Sequence, residues 1–316
     1  MNCPTCTSAT KKHGKDRAGH QRYRCLACKK TFIEAYEKPL GDMILAEEKA
    51  LSVLHHLVEG CSIRSTERLT GVHRDTILSL LVAVGEKCEQ LMDKLIVNVS
   101  VKEVQCDEIW GYVGMKEKTK KDKGVEGDGL GDAWTFIAME RYSKLILCWH
   151  LGRRAMQDTV AFTEKLARAT ADHRFQVNTD GFVPYRDAMV YSLGSKHIDF
   201  AQIIKIFGKP EGDERRYSPS EVIGVEKTAI FGNPDMDSAT TSHIERQNLN
   251  VRMAMRRFTR LTNAFSKKWA KLHSALALYF AYYNFCRIHS SIRVTPAMEA
   301  GITDHVWELR ELLYSA

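Results

Sequence analysis

Proline is scarce in this 316-residue chain, at 7 residues, and glycine, at 20, is no more than ordinary. Collagen-like and low-complexity chains need far more of one or the other, so both are excluded. Long apolar runs are missing as well. The longest, residues 145–149 and 275–281, fall far short of the roughly 18 residues that a spanning helix needs. Residues 1–12 carry polar groups and two cysteines where a secretory signal would need an apolar stretch. The expectation is therefore a chain in a reducing cytoplasm, near the nucleoid if it binds DNA, with no membrane segment and no disulfides. The length suits two or three folded domains.

Carboxylates are missing from one long stretch. Residues 246–293 hold ten Lys or Arg and no acid, giving +10, and residues 1–40 hold nine Lys or Arg against three acids, giving +6. With a total of +7, everything else together carries −9. A solvated helix face usually mixes signs, so 48 residues without a carboxylate point to a polyanion partner, nucleic acid above all.

Of the nine cysteines, four form a pattern: Cys3 and Cys6, then eighteen intervening residues, then Cys25 and Cys28. Two such pairs predict a zinc ribbon over residues 1–38, because each pair sits on a tight knuckle whose thiolates reach one tetrahedral ion. Residues 21–24 and 31–32 read as the strands of its hairpin. So small a unit lacks a sufficient core, and its single Zn²⁺ would be structural. Cys61, Cys88, Cys106, Cys148 and Cys286 have no such spacing and read as small core residues.

Residues 41–95 read as helical. Leu51, Leu54, Leu57 and Val58 fall at helical spacing, and residues 59–62 make a break. Two short helices follow, one over 62–69 and one starting at His73 and Arg74 with Ile77, Leu80, Leu81 and Val84 as its apolar face. A glycine-containing turn between them gives the helix-turn-helix geometry that puts a second helix in a DNA major groove; the alternative is a plain helical connector.

Beyond residue 98 the pattern changes to strands, over 99–113, 134–140, 144–151 and 175–180. The second and third form a hairpin turning at 141–143, and a helix capped by Asp158 precedes the fourth. This order opens a ribonuclease-H-like α/β domain, assigned to residues 99–300. Within it, 115–132 reads as a flexible loop and 207–241 as an irregular insertion with one small hairpin. Residues 301–316 read as a C-terminal helix.

Three acids stand out by position. Asp107 lies inside an apolar strand, where an uncompensated charge is costly. Asp180 ends another strand just before Gly181. If those strands are neighbours, the two acids meet at one edge of the sheet, as a site of hard oxygen ligands for a divalent cation requires. Glu245 begins the acid-free stretch and shares a helical face with Asn248, Arg252 and Arg256. Glu108 adjoins Asp107, but strand alternation directs it to the opposite face and ranks it lower.

Asp107 within CDEIW, Asp180 within NTDG, and Glu245 within SHIERQNLNVRMAMRRFTRLTNAFSKK closely resemble a DDE transposase of the bacterial insertion-sequence type whose two parts are called InsA and InsB. The tail YYNFCRIH over 282–289, followed by RVTPA over 293–297, is similar to that family too. The resemblance covers nearly the whole chain. It implies a ribonuclease-H-like core and two Mg²⁺ (or Mn²⁺) ions held by Asp107, Asp180 and Glu245. The chemistry would be cutting and joining at the element's own terminal repeats, where water releases a 3′-hydroxyl that then attacks target DNA. The expected partners are double-stranded DNA and a second copy of the chain or more. DNA contacts fall to Arg74, His243, Arg252, Arg256, Arg257, Arg260, Lys267 and Lys268. Arg74 with Asp75 would supply preference for element ends, and the basic stretch backbone affinity. The rival expectations are an element-derived repressor that no longer cuts and a nuclease without strand transfer.

Overall fold

The computed structural model describes residues 1–16, 20–33, 40–41, 43–195, 197–208, 221–259 and 262–314. They fall into two compact units, Met1–Asp42 and Met43–Ala316.

The first unit is an antiparallel meander of β1 (Thr10–Lys15), β2 (Gln21–Cys25) and β3 (Thr31–Ile33). The sequence suggested β2 and β3 but not β1, whose TKKHGK has no apolar alternation. Tyr23 and Phe32 stack with ring centroids 6.0 Å apart. That single aromatic pair cannot serve as a core.

The second unit opens with α1 (Glu47–Val58), α2 (Ile63–Thr70) and α3 (Arg74–Leu95). Ser62 caps α2 by accepting the Ser65 amide at 3.1 Å, and Gly71 ends it at a φ of 69°, where a side chain would be strained. Ile77, Leu80, Leu81 and Val84 are all buried, as their spacing requires. The third helix is not short, however, since it runs for 22 residues through Gly85. A Cβ at Gly85 would lie 2.6 Å from that of Ser274, so the glycine lets α8 (Trp269–Ala281) press against α3. This contact ties the N-terminal helices to the chain's other end. Residues 43–316 thus form one compact unit where the sequence suggested three segments.

Six strands form a mixed sheet in the order β6-β5-β4-β7-β8-β9. They are β4 (Glu103–Val113), β5 (Gly131–Glu140), β6 (Ile146–Gly152), β7 (Phe175–Thr179), β8 (Ile198–Phe207) and β9 (Val222–Phe231). The β4–β7 and β7–β8 pairs are parallel and the other three antiparallel. Helix α5 (Met156–Ala169) begins two residues before Asp158, which sits in the first turn instead of at the cap. Phe136, Phe162 and Tyr185 meet under α5 and α6 (Pro184–Leu193), forming the core on that face of the sheet.

Two sequence expectations change here. The loop over 115–132 contains a short helix, α4 (Glu117–Asp122). Within the expected insertion, residues 222–231 form a ten-residue strand, β9, that pairs with β8 from Phe200 to Phe207 and extends the sheet, a longer hairpin than expected, while residues 209–220 lie outside the described residues. The strand's alternation went unread because most of β9 is exposed.

The tail supplies α7 (Ser242–Ala254), a 3-10 turn (Arg256–Phe258), α8, a π-turn (Tyr282–Cys286), α9 (Pro296–Glu299) and α10 (Leu309–Tyr314). Within the tail motif, Asn284 makes two hydrogen bonds to the Ile146 backbone, at 2.9 and 3.0 Å, and Thr295 caps α9. The Asn284 bonds hold the tail to the sheet. The C-terminal helix covers 309–314 of the expected 301–316, and residues 315–316 lie outside the described set. Cys88, Cys106 and Cys148 are buried in the core, whereas Cys61 and Cys286 are half-buried.

Candidate functional site

β4 and β7 are parallel neighbours in register from Glu103–Gln176 to Cys106–Thr179. β7 stops there while β4 continues, which places Asp107 beside Asp180 at the end of the shorter strand. Asp180 is fixed by the Phe182 amide, which donates to its Oδ1 at 2.9 Å. Gly181 lets the chain pass close to β8, since a Cβ there would meet Ile204 at 2.9 Å.

The acids that converge most tightly are Asp107, Glu108 and Asp180, each with a carboxylate oxygen within 4.8 Å of the others'. The sequence placed Glu108 on the far face, and the unbroken β4–β5 register keeps that alternation. The carboxylates meet regardless, because β7 has ended and Asp180 can be approached from both faces of β4. Burial first, and then the Asp180 charge, push Asp107 up to about 7 and Glu108 up to about 8. Glu108 Oε1 and Asn248 Oδ1 are buried without a well-formed hydrogen bond, the Tyr185 hydroxyl lying close enough to Glu108 to favour its ionised form. Orphaned oxygens beside three carboxylates fit a hard divalent cation, which takes oxygen ligands.

Helix α7 is held to the same face of β4 at two points. Gln105 Oε1 accepts the amides of His243 and Ile244 at 3.1 and 3.2 Å, and Asn248 Nδ2 donates to Asp107 Oδ2 at 2.8 Å. Buried Gln105 connects in turn to Glu103, which accepts from Asn178 at 2.7 Å and pairs with Arg141 at 2.6 Å. Glu245 lies near enough for its charge to help raise Asp107, yet its own carboxylate pairs with Lys205 and accepts from Thr241. Arg154 stands between the other two acids, 3.2 Å from Glu108 and 3.8 Å from Asp180, with its guanidinium over the Phe182 and Trp134 rings. Arg154, Lys205 and Gln105 escaped the sequence reading. None belongs to a spacing motif, and only the fold brings them to the acids.

The DNA-contact candidates separate into groups. Arg74, Arg256, Arg257, Lys267 and Lys268 line one cleft of about 1150 Å³. The ends of the chain assigned to selectivity and to affinity therefore share a single surface. His243 stands apart, 3.4 Å from Lys144, and burial and that positive neighbour hold its imidazole below the usual range. Arg252 donates to the Phe258 carbonyl at 3.3 Å. Arg256 does not share the α7 face, because α7 ends at Ala254 and Arg256 opens the 3-10 turn. Arg260 lies outside the described residues.

In the first unit, Cys3 and Cys28 sulfurs are 3.7 Å apart and those of Cys6 and Cys25 3.4 Å. A zinc tetrahedron with Zn–S of about 2.3 Å has edges of about 3.8 Å, so the four thiols are gathered at ligand spacing. The Thr5 and Cys28 amides point at the Cys3 and Cys25 sulfurs, as in ligand knuckles. Residues 1–29 match the family model of the InsA N-terminal domain, a zinc ribbon. The cysteine geometry and this match support one structural Zn²⁺. An InsA-type ribbon points to an insertion-sequence-associated protein and is consistent with a DNA partner. Among the described residues, no helix is long and apolar enough to cross a membrane.

Proposed function

We propose that this chain is a DDE transposase that binds the terminal repeats of its insertion sequence as a homo-oligomer, cuts 3′ ends and joins them to target DNA. The observation that carries the reading is the meeting of Asp107 and Asp180 at the end of two central parallel strands, with α7 bringing Glu245 alongside. In this reading the long domain is ribonuclease-H-like, and α2 and α3 act as a helix-turn-helix.

Asp107, Asp180 and Glu245, with Glu108 beside them, would hold Mg²⁺ or Mn²⁺. Bound there, such ions supply Lewis acidity at the phosphoryl group and activation of the attacking water or 3′-hydroxyl. The chain's own residues have other tasks. Asn248 orients Asp107 through its 2.8 Å hydrogen bond, and Gln105 fixes the start of the helix that carries Asn248 and Glu245. Lys205 and Arg154 balance the carboxylates and offer cations close to where a phosphate would lie. Hydrolysis and strand transfer are then the same in-line displacement with different nucleophiles.

The Arg154 bridge between Glu108 and Asp180 favours a second reading, an element-derived DNA-binding repressor in which a guanidinium has taken over charge balance. One experiment separates the two. Purified protein is incubated with labelled element ends and plasmid, in Mg²⁺ or in EDTA. Joined product in Mg²⁺ alone is expected; end binding with no cutting in Mg²⁺ or Mn²⁺ would establish the repressor instead.

A further inference from the structure

The cleft that gathers the DNA-contact candidates has a composition of its own. Its walls come from α2 and α3 on one side and from the 3-10 turn, residues 262–268 and α8 on the other. Among the described residues lining it are seven lysines and arginines and a single carboxylate, Asp75. A stable fold has no reason to crowd cations in this way, since like charges at a shared surface raise its free energy. Lys271 is tied to the wall, donating to the Leu78 carbonyl at 3.0 Å, while Lys267 and Lys268 are exposed.

Arg257 is the informative residue. It is half-buried, its Nη1 donates to Ser266 Oγ at 2.6 Å, and burial pulls the guanidinium down to about 10, with no carboxylate among the described residues offsetting it. The group is therefore charged at neutral pH in a place where the charge is costly. Arginine is normally buried against an acid. An anion arriving in the cleft would provide that missing partner and can bond a guanidinium through two oxygens.

The position of the turn adds a second observation. Phe258 lies against Gly111 of β4, where a Cβ would come within 3.0 Å of its ring, and Ser266 bridges to Val113 of the same strand. Gly111 is four residues beyond Asp107, about 13 Å along an extended strand. A chain held at Arg257 thus runs close to the carboxylates. A volume of about 1150 Å³ lies just above the roughly 300–1,000 Å³ range of small-molecule pockets. That is room for a short run of single nucleotides. A rigid duplex carries its phosphates on a convex rim and cannot lower one onto a recessed guanidinium, whereas a single strand can turn a phosphate inward. Half-buried Phe265 in the same lining offers a ring for a base to stack on.

We propose that this cleft binds one strand of DNA through its phosphodiesters, with Arg257 as the guanidinium that a single phosphate fills. The inference rests on the DNA-processing reading above and adds to it a strand-selective site built jointly by both ends of the chain. Arg257 is a binding residue here and takes no part in the chemistry at the carboxylates.

The test uses the full chain with its zinc, in magnesium-free buffer containing a mild chelator of Mg²⁺. Fluorescence anisotropy is read with a labelled single strand of about twelve nucleotides, within the usual site size, and with the matched duplex. Arg257→Gln is expected to weaken the single strand by at least about tenfold, as loss of a charged hydrogen bond does, with a smaller effect on the duplex. Its thermal midpoint should hold or rise, because an uncompensated charge has gone. Lys267→Gln with Lys268→Gln, exposed and safe for folding, should lower the salt slope for the single strand by about 1.4, at about 0.7 per phosphate contact. The proposal is overturned if the double variant leaves affinity and slope unchanged. It is equally overturned if Arg257→Gln lowers the midpoint sharply or if duplex binding falls as much as single-strand binding. Cleavage is not part of this assay, so a chain that cuts nothing leaves the inference standing, and normal cutting cannot rescue it.

Discussion

Two regions of the larger unit concentrate charge of one sign, and they do so differently. At the end of β7, Asp107, Glu108 and Asp180 come within 4.8 Å, Arg154 sits on the last two, and Lys205 pairs with nearby Glu245. In the cleft, the described residues lining about 1150 Å³ include seven cations and, as their only acid, Asp75. The first region is small, partly desolvated and partly offset by cations; the second is open and left unbalanced. The difference matches two kinds of ligand. A compact cation needs a few oxygens at short range, and a polyanion needs charges spread along a path. Both arrangements cost folding stability, which is where function is expected to override local preference.

The comparison breaks most visibly at the acids. Asp107→Asn, Asp180→Asn and Glu245→Gln should each cut strand transfer by about a thousandfold or more, equivalent to about 4 kcal/mol of transition-state stabilisation. End binding measured by gel shift should stay near the wild-type value. Glu108→Gln is the informative fourth variant, because its carboxylate meets Asp107 and Asp180 more closely than that of Glu245 does. If Glu108→Gln is inactive and Glu245→Gln is not, the third acid lies on β4 and not on α7.

The ribbon offers the next largest effect. Cys25→Ser should abolish zinc binding, read as loss of one ion by native mass spectrometry. The first unit should then lose its strands, since metal binding of this type is worth about 10–16 kcal/mol. The unit over 43–316 has its own core, and its unfolding should shift by no more than about 0.5 kcal/mol. A cooperative loss of both would mean that the units do not fold independently.

Titration sharpens the contrast further. Asp107 and Glu108 are raised to about 7 and about 8 when folded, while free carboxyls titrate near about 4. Across pH 5 to 8 the folded, metal-free protein therefore keeps protons that the unfolded chain has shed, and stability falls as pH rises. The slope should be about 1.4 kcal/mol per pH unit for each group that titrates fully in that window. Asp107→Asn should flatten it, as denaturant melts at several pH values will show, and Mg²⁺ at pH 8 should restore stability by binding the ionised acids. A flat profile would place these carboxyls in a solvated setting, and a slope of the opposite sign would mean that neighbouring cations hold them ionised.

The smallest expected effect is at Asn248. Asn248→Ala removes the hydrogen bond to ionised Asp107, worth about 1.5–3 kcal/mol for a charged acceptor, so activity should fall roughly tenfold and the pH midpoint of Asp107 should rise. Activity without a shift in the pH profile would assign Asn248 to packing alone.

The ribbon was legible because metal ligation imposes spacing on the sequence: two CxxC pairs leave little freedom. Asp107 and Asp180 were legible for a similar reason, each being an acid placed where strand alternation and a following glycine make it conspicuous. The tail motif was readable as a string, but its physical content was not. Asn284 completes hydrogen bonds on Ile146, 138 residues away. Strand β9 and helix α4 were missed because exposed elements carry little hydrophobic periodicity.

By itself, then, the sequence determined the metal-binding ribbon, the apolar face of α3, the strand order up to β7 and the segregation of charge, all properties of local spacing and composition. Tertiary structure decided which distant residues meet. It ended β7 early enough for Glu108 to join Asp107 and Asp180, set Arg154 and Lys205 against the acids, and used Gly85 to bring α8 onto α3. It also folded Arg74 and Arg257 into a single cleft. Contacts of that kind depend on where strands stop and how closely helices approach, and those distances are set by packing across the whole chain, which no local pattern records.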